Sequence, residues 1–286
     1  MKYAITGATG NLGGQIIEQM LKLAEPAELI ALVHTPAKAQ VLVEQGIAVR
    51  PADYLNVASM TQALIGVDVL VYVPSKTYDV VQRVTELQNT LQAMKLAHVD
   101  EIVFMSFFAD QENNPFVMSP YYGFAPRALA ASSLKYTVAK NSLYADPLVP
   151  YLPELIERQN VIYPVGNQKM AFISLEESAE AFANLAVKPQ LRNHGETYLL
   201  SQKKAYTMIE LAAIMSEVTG KPIGYQPVTL QEFADIYESD GDGSELSSMY
   251  AGGAKGLLSE VFNDFEKITG HQPSTMKDFL YQNYRK

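Results

Sequence analysis

Cysteine is absent from the 286-residue chain. That excludes disulfides, thiolate metal sites and thiol catalysis, and it suits a reducing interior. Positive charge is scarce: 22 Lys and Arg face 31 Asp and Glu, for a formal charge of -9. No block of Lys or Arg offsets this locally, so the basic face that nucleic acid requires is missing. No apolar run reaches the roughly 18–20 residues of a membrane span. The amino-terminal segment also lacks the basic, apolar and small-residue succession of a secretory leader. The expectation is a soluble, cytoplasmic protein with neither a nucleic-acid nor a membrane partner. Histidines 34, 98, 194 and 271 show no metal-ligand spacing. Asp240-Gly-Asp-Gly-Ser244 resembles a calcium loop, but Glu245 and Ala251 stand where such a loop needs Gly and Glu. It reads as a solvated loop, and no metal is expected. A Gly-x-Ser-x-Gly elbow and a P-loop lysine are absent too.

What is present is concentrated at the start. With 48% hydrophobic and 19% charged residues the chain is globular. The apolar run Tyr3-Ala-Ile-Thr6 leads into Gly7-Ala-Thr9-Gly10-Asn11-Leu12-Gly13, after which Leu12, Ile16, Ile17, Met20 and Leu21 recur at helical spacing. Strand, glycine turn and helix form the arrangement that a dinucleotide pyrophosphate needs. The turn is tight, no Cβ blocks the phosphates, and the helix N-terminus offers free N–H groups.

Apolar runs then alternate with amphipathic stretches. Strands are predicted at 29–33, 47–50, 67–73 and 101–106, and helices at 37–45, 57–64 and 80–97. Continuous apolar strands separated by helices indicate a doubly wound parallel Rossmann sheet covered on both faces. Beyond Asp110 the rhythm loosens. Residues 111–123 read as a long loop, 136–139 and 197–201 as strands, and 175–186 as a helix. Thr207-Met-Ile-Glu210 and Thr229-Leu-Gln-Glu232 read as capping boxes, with a strand at 223–228 between them and Ser274 capping the last helix. The predicted architecture is α/β: a dinucleotide-binding core over 1–145, completed by about 172–201. Residues 146–171 and 202–286 form a smaller α+β subdomain covering the substrate.

The end of the second strand, Leu32-Val33-His34-Thr35-Pro36-Ala37-Lys38, carries no acid for a ribose 2′-hydroxyl. His34 and Lys38 are donors for a 2′-phosphate, so NADP(H) is the expected cofactor, with NAD(H) as the alternative. Asp53 and Tyr54 follow the third strand, where Asp53 serves either as an adenine-edge acceptor or as a turn cap. Val73, Pro74 and Ser75 end the fourth strand, beneath the expected ribose and phosphates.

Together with the glycine turn, the Val33–Lys38 turn and Ala52-Asp53-Tyr54, the segment Tyr136-Thr-Val-Ala-Lys-Asn-Ser-Leu-Tyr144 resembles the NmrA-like, atypical short-chain dehydrogenase/reductases. The resemblance is to their bacterial NAD(P)H quinone oxidoreductase and triphenylmethane reductase branch, and it runs along nearly the whole chain. It implies hydride transfer from NAD(P)H to a quinone-like planar acceptor, or alternatively a non-catalytic dinucleotide-binding regulator of the NmrA type. It places the pyrophosphate on Gly7–Gly13, the 2′-phosphate on Lys38 and the cofactor along Ser75. Lys140, Asn141 and Tyr144 fall near the nicotinamide. The family more often carries Arg where this chain has His34 and Lys140. Other members of the wider superfamily use a serine with Tyr-x-x-x-Lys on a helix. Tyr136-x-x-x-Lys140 has that spacing, but on a β-branched stretch that reads as a strand. Ser106 stands where the serine is expected, while Tyr121 and Tyr122 occupy the helix position without the lysine. The candidate catalytic residues are therefore Ser106, Tyr122, Lys140 and Tyr144, with tyrosines 121, 122 and 144 able to stack on a flat acceptor. Sugar-nucleotide epimerisation, which needs a tyrosine base, is disfavoured. A monomer or homodimer is expected.

Overall fold

Short runs rich in apolar residues, buried in the sheet's centre and partly exposed in β3 and β6, become strands in the computed structural model, which describes Met1–Tyr284. They are β1 (Tyr3–Thr6), β2 (Leu29–Val33), β3 (Ala48–Pro51), β4 (Val69–Tyr72), β5 (Glu101–Phe107) and β6 (Lys135–Asn141). Between them run α1 (Asn11–Met20), α2 (Gln40–Glu44), α3 (Val57–Leu64), α4 (Val80–Ala97) and α5 (Ser119–Ala130). The chain continues through β7 (Leu143–Tyr144), α6 (Leu148–Arg158), β8 (Asn160–Val161), β9 (Lys169–Ile173), α7 (Leu175–Val187) and β10 (Thr197–Leu200). The described residues end with β11 (Ala205–Thr207), α8 (Met208–Thr219), β12 (Gly224–Tyr225), α9 (Leu230–Tyr237), α10 (Gly243–Ala254), α11 (Asp264–Thr269) and α12 (Met276–Tyr284).

A seven-stranded sheet has the order β10-β6-β5-β4-β1-β2-β3. Strands β1 to β5 pair in parallel. Val138 and Ser142 donate to Glu196 and Leu200 in ascending order, so β10 runs parallel to β6. All four residues of β1, all five of β2 and all four of β4 are buried, as strands covered on both faces must be. The order reverses between β1 and β4, the switch point at which such sheets bind ligands. Two compact units result. One comprises Met1–Ser106, Tyr121–Lys140 and Leu175–Tyr198, and the other Phe107–Pro120, Asn141–Ser174 and the residues from Leu199 onward.

Several elements depart from the sequence reading. The helix expected at 37–45 splits into a 3-10 turn at Pro36–Ala39 and the short α2. The loop expected over 111–123 gives way to α5 at Ser119, because Pro120 is tolerated in a first turn. The strand at 223–228 shrinks to β12, and α10 begins inside the segment read as a solvated loop. The last helix is capped by Thr275 rather than Ser274. Thr275 Oγ1 accepts from Asp278 N at 3.2 Å and donates to its carboxylate at 2.6 Å.

Both anticipated capping boxes form. Glu210 accepts from Thr207 N at 2.9 Å and pairs with Lys204 at 2.8 Å. The Lys204 hydrogen bond first, and the Thr207 backbone second, hold this carboxyl at about 2, below its ordinary 4.5. A depressed folded-state value stabilises the protein above the unfolded value and is lost as pH falls toward the folded one. Glu210→Gln is therefore expected to cost about 1 kcal/mol near neutrality, since the pair is half exposed. Wild type and variant should converge between about pH 5 and about pH 2. Thermal unfolding followed against pH checks this, and a gap that stays constant with pH would refute it.

Candidate active site

Backbone contact builds the glycine turn. Gly7 lies at φ +62, a conformation that strains residues with a side chain, and it accepts the Gly10 N–H at 2.8 Å. A Cβ on Gly13 would lie 2.6 Å from the Gly7 carbonyl carbon and nearer still to its oxygen. Only glycine lets α1 start this close to β1. Gly10 caps α1 with no side-chain bond, and the first turn carries no acid. The leading N–H groups and the positive end of the helix dipole are left for an anion. Thr9, Asn11 and Leu12 complete this turn, which fits a dinucleotide diphosphate.

The neighbouring strand end is locked to it. Thr6 Oγ1 donates to Val73 O at 3.0 Å and accepts Val73 N at 2.8 Å, while Tyr54 Oη donates to the same carbonyl at 2.6 Å. Burial pushes the Tyr54 phenol above its ordinary range, so it stays a donor. Asp53 Oδ1 accepts Leu55 N at 2.9 Å, which is the turn-forming role of the two considered. His34 and Lys38 are exposed at the end of β2, and Thr35 Oγ1 lies 3.5 Å from His34 Nδ1.

The loop after β4 is tethered by the first turns of α4. Ser75 Oγ donates to the buried Glu86 at 2.6 Å, Gln82 Nε2 donates to the same carboxylate at 2.9 Å, and Arg83 Nη2 donates to Thr77 O at 2.6 Å. Asp79 caps α4 by accepting Gln82 N at 3.0 Å. Val73, Pro74 and Ser75 are thus held in one course. The sequence reading missed Arg83 and Glu86. The available signal was two charged residues beside Leu87 and Thr90, the buried stripe of α4.

On the catalytic side, Ser106 is the last residue but one of β5, and Lys140 the last but one of the adjacent strand β6. Ser106 is fully buried, and its hydroxyl has no partner among the described residues. Tyr122 is buried edge-to-face against Tyr121 at 5.3 Å. The Tyr121 ring, expected to stack on an acceptor, instead packs under the Arg83 guanidinium at 5.2 Å and beside Phe104 at 6.4 Å. Burial raises the Tyr121 phenol, so it does not serve as a base. Tyr136 and Lys140 lie on strand β6, where positions four apart are about 13 Å from one another. In the second unit the fully buried Asn141 donates from Nδ2 to Tyr144 Oη at 2.9 Å.

A parallel sheet whose first strand ends in this glycine turn defines a dinucleotide-binding protein of the Rossmann class. The chain belongs to the NmrA-like family, whose profile matches residues 2–280. It is 33% identical to quinone oxidoreductase 2 of Escherichia coli over 279 residues, 96% of each chain. A solved NADPH complex of an Escherichia coli NADPH-dependent quinone oxidoreductase superposes with a TM-score of 0.90 at 32% identity, covering 98% of this chain and 99% of the other. The NADP(H) complex of Citrobacter triphenylmethane reductase gives 0.92 at 28% identity, covering 99% and 100%. A Staphylococcus aureus structure named as a nucleoside-diphosphate-sugar epimerase gives 0.93 at 39% identity, covering 98% and 100%.

Proposed function

We propose that this chain is an NAD(P)H-dependent oxidoreductase that passes hydride to a planar, quinone-like acceptor, with NADP(H) as the preferred cofactor. The observation that carries the reading is the glycine cradle, where α1 opens without a side-chain cap or an acid over a Gly13–Gly7 contact too close for any side chain. His34 and Lys38 in place of an acid at the end of β2 support the 2′-phosphate. Relatives named for quinone and azo reduction, and neighbours solved with NADPH or NADP(H), support the same class.

When bound, the nicotinamide supplies the hydride. The protein's part is to orient and enclose. Gly7 to Gly13 hold the diphosphate, Lys38 and His34 the 2′-phosphate, and Val73 to Ser75 the course of the ribose. Lys140, Asn141 and Tyr144 are assigned to the nicotinamide end, and residues 146–171 and 202–286 to covering the substrate. No helical tyrosine–lysine pair is required. A reduced quinone is a phenol-like acid with a pKa near ~10, so water can protonate its oxygen. Epimerisation needs a tyrosine base; Tyr121 and Tyr122 on α5 have Ala125 and Pro126 where a lysine would have to stand. No described helix is long and apolar enough to cross a membrane. A cytoplasmic place of action belongs to this proposal, supported by the cysteine-free composition, and a monomeric or homodimeric state is proposed with it.

The test is NADPH oxidation by purified protein with a panel of quinones, and NADH in parallel. Saturable turnover is expected, abolished by Gly10→Leu. NADPH binding without turnover on any acceptor would favour the regulatory alternative. Lys38→Ala is expected to weaken NADPH by about tenfold, the worth of one charged hydrogen bond, and to leave NADH within about twofold. Equal losses for both cofactors in a fluorescence titration would remove Lys38 from the 2′-phosphate.

A further inference from the structure

Helix α4 carries a polar stripe in the first unit. Gln82, Glu86 and Asn89 recur at i, i+4 and i+7, so they share one face. Gln82 Nε2 donates to Glu86 Oε1 at 2.9 Å, Glu86 Oε2 accepts from Ser75 Oγ at 2.6 Å, and Asn89 Nδ2 donates to Tyr54 O at 3.0 Å. The stripe thus reaches the turn after β3 and the loop after β4. Glu86 is its unusual member. It is 2% exposed, and the side chains that donate to it, Ser75 and Gln82, are neutral. Burying a carboxylate on neutral donors is unfavourable, and a glutamine would fill the same space with less desolvation.

What the charge supplies is direction. A carboxylate only accepts, so the Ser75 hydroxyl must donate toward it, in a charge-assisted bond about twice as strong as a neutral one. The hydroxyl oxygen in turn accepts Thr77 N at 3.4 Å. Ser75 is settled from both sides, and it follows β4 beside the point where the strand order reverses. Val73 abuts the glycine turn: a Cβ on Gly7 would lie 3.7 Å from Val73 Cβ, and Thr6 Oγ1 exchanges hydrogen bonds with Val73 N and O. Val73, Pro74 and Ser75 are partly exposed. This strand end offers surface to a ligand, while Glu86 behind it does not.

We propose that Glu86 is a positioning residue for the dinucleotide: through Ser75 it fixes the strand end along which the cofactor lies, and it touches no cofactor itself. The proposal rests on the dinucleotide-binding half of the reductase reading. A loop fixed in advance loses little freedom on binding, whereas a loosened one must be ordered by the cofactor. The loss therefore falls on affinity. Once bound, the nicotinamide reacts as before, so kcat at saturation is spared.

The experiment measures the NADPH dissociation constant by fluorescence titration, with thermal unfolding alongside. The proteins are wild type, Glu86→Met, Glu86→Leu, Glu86→Gln, Ser75→Ala and the double variant Ser75→Ala with Glu86→Met. Each apolar replacement of Glu86, and Ser75→Ala, is expected to weaken NADPH about tenfold, the worth of one charged hydrogen bond. The double variant should be no more than about threefold weaker than either single one, because both break the same link. Glu86→Gln keeps an acceptor of the same shape and should stay within about threefold of wild type. With a quinone in excess, KM for NADPH should rise in step while kcat stays within about threefold. Melting of the apolar variants should change little, since a buried charge leaves together with its hydrogen bonds. NADPH binding within threefold of wild type in the apolar variants overturns the proposal. So do losses that multiply in the double variant, or a Glu86→Gln no better than Glu86→Met. If both apolar variants unfold, Glu86 serves the fold itself, and the proposal falls. A wild type that binds NADPH but turns over no acceptor overturns the reductase reading, while the same titrations still decide the role of Glu86. A wild type that binds no dinucleotide overturns both.

Discussion

Replacing Gly13 with Ala should remove dinucleotide binding, raising the NADPH dissociation constant by at least about 100-fold, and should destabilise the fold by about 2–3 kcal/mol, within the usual cost of overpacking. One methyl group has this effect because of what it meets. It would intrude on the Gly7 carbonyl, with its carbon at 2.6 Å, and would sit 3.1 Å from Ala8 Cα. Backbone cannot rotate away as a side chain can, so α1 must retreat from β1. That retreat carries the helix N–H groups away from the place proposed for the diphosphate. The neighbouring glycines provide the controls. A Cβ on Gly14 would meet only Ala8 O at 3.6 Å, an ordinary contact, so Gly14→Ala should bind NADPH as wild type does. A Cβ on Gly10 would stand 3.2 Å from Gly7 O. Because that neighbour is backbone too, Gly10→Ala should lower melting, though by less than Gly13→Ala, and should weaken NADPH if the phosphates sit on this turn as proposed. Fluorescence titration with NADPH alongside thermal unfolding checks the series. Affinity within tenfold of wild type in Gly13→Ala would discard the cradle as the diphosphate site.

This turn could be read from the sequence because everything it needs is local: three glycines, an apolar strand before them and a periodic helix after. The buried strands β1, β2 and β4 were legible for a related reason, since both their faces are covered and their composition is uniformly apolar. The capping boxes of α8 and α9 are local patterns as well. The last helix shows the limit of such patterns. Ser274 and Thr275 both precede it, and only Thr275 has an acid three residues on. Helix α10 was hidden by its glycines, which are poor helix formers. They are there for packing: a Cβ at Gly252 would lie 2.5 Å from Asn114 Oδ1, and one at Gly243 would meet Ala234 O. Strands β7, β9 and β11 have partners distant in the chain, so no window of sequence contains their reason for forming. The candidate site divides in the same way. Gly7, Gly10 and Gly13 announce themselves, whereas Arg83 and Glu86 become noticeable only once burial and hydrogen-bond partners are known.

Glu101→Ala is expected to be among the most destabilising single substitutions in the first unit, by about 3–5 kcal/mol, because it strands a buried charge. Arg192 is 1% exposed, and its Nε donates to Glu101 Oε2 at 3.0 Å. Asn193 Nδ2 reaches the same oxygen at 2.8 Å, and Lys135 stands 3.8 Å from the other. Arg192 Nη1 has no partner among the described residues, so the carboxylate carries most of the neutralisation. Truncating it leaves a guanidinium that can neither deprotonate nor reach water. Against a total stability of roughly 5–15 kcal/mol for a typical domain, this would lower melting by many degrees. A second substitution separates the cost of a stranded charge from the worth of the pair. Arg192→Met alone should cost less than Glu101→Ala, since the partly exposed carboxylate keeps Asn193, Lys135 and solvent. The double variant Glu101→Leu with Arg192→Met should recover much of the loss, because an apolar pair of similar volume replaces two desolvated ions. Urea unfolding of the four proteins, with Glu101→Leu alone added to close the cycle, yields the coupling energy directly. A double variant no more stable than Glu101→Ala would show that the pair is favourable in itself and that its hydrogen bonds outweigh the desolvation of both charges.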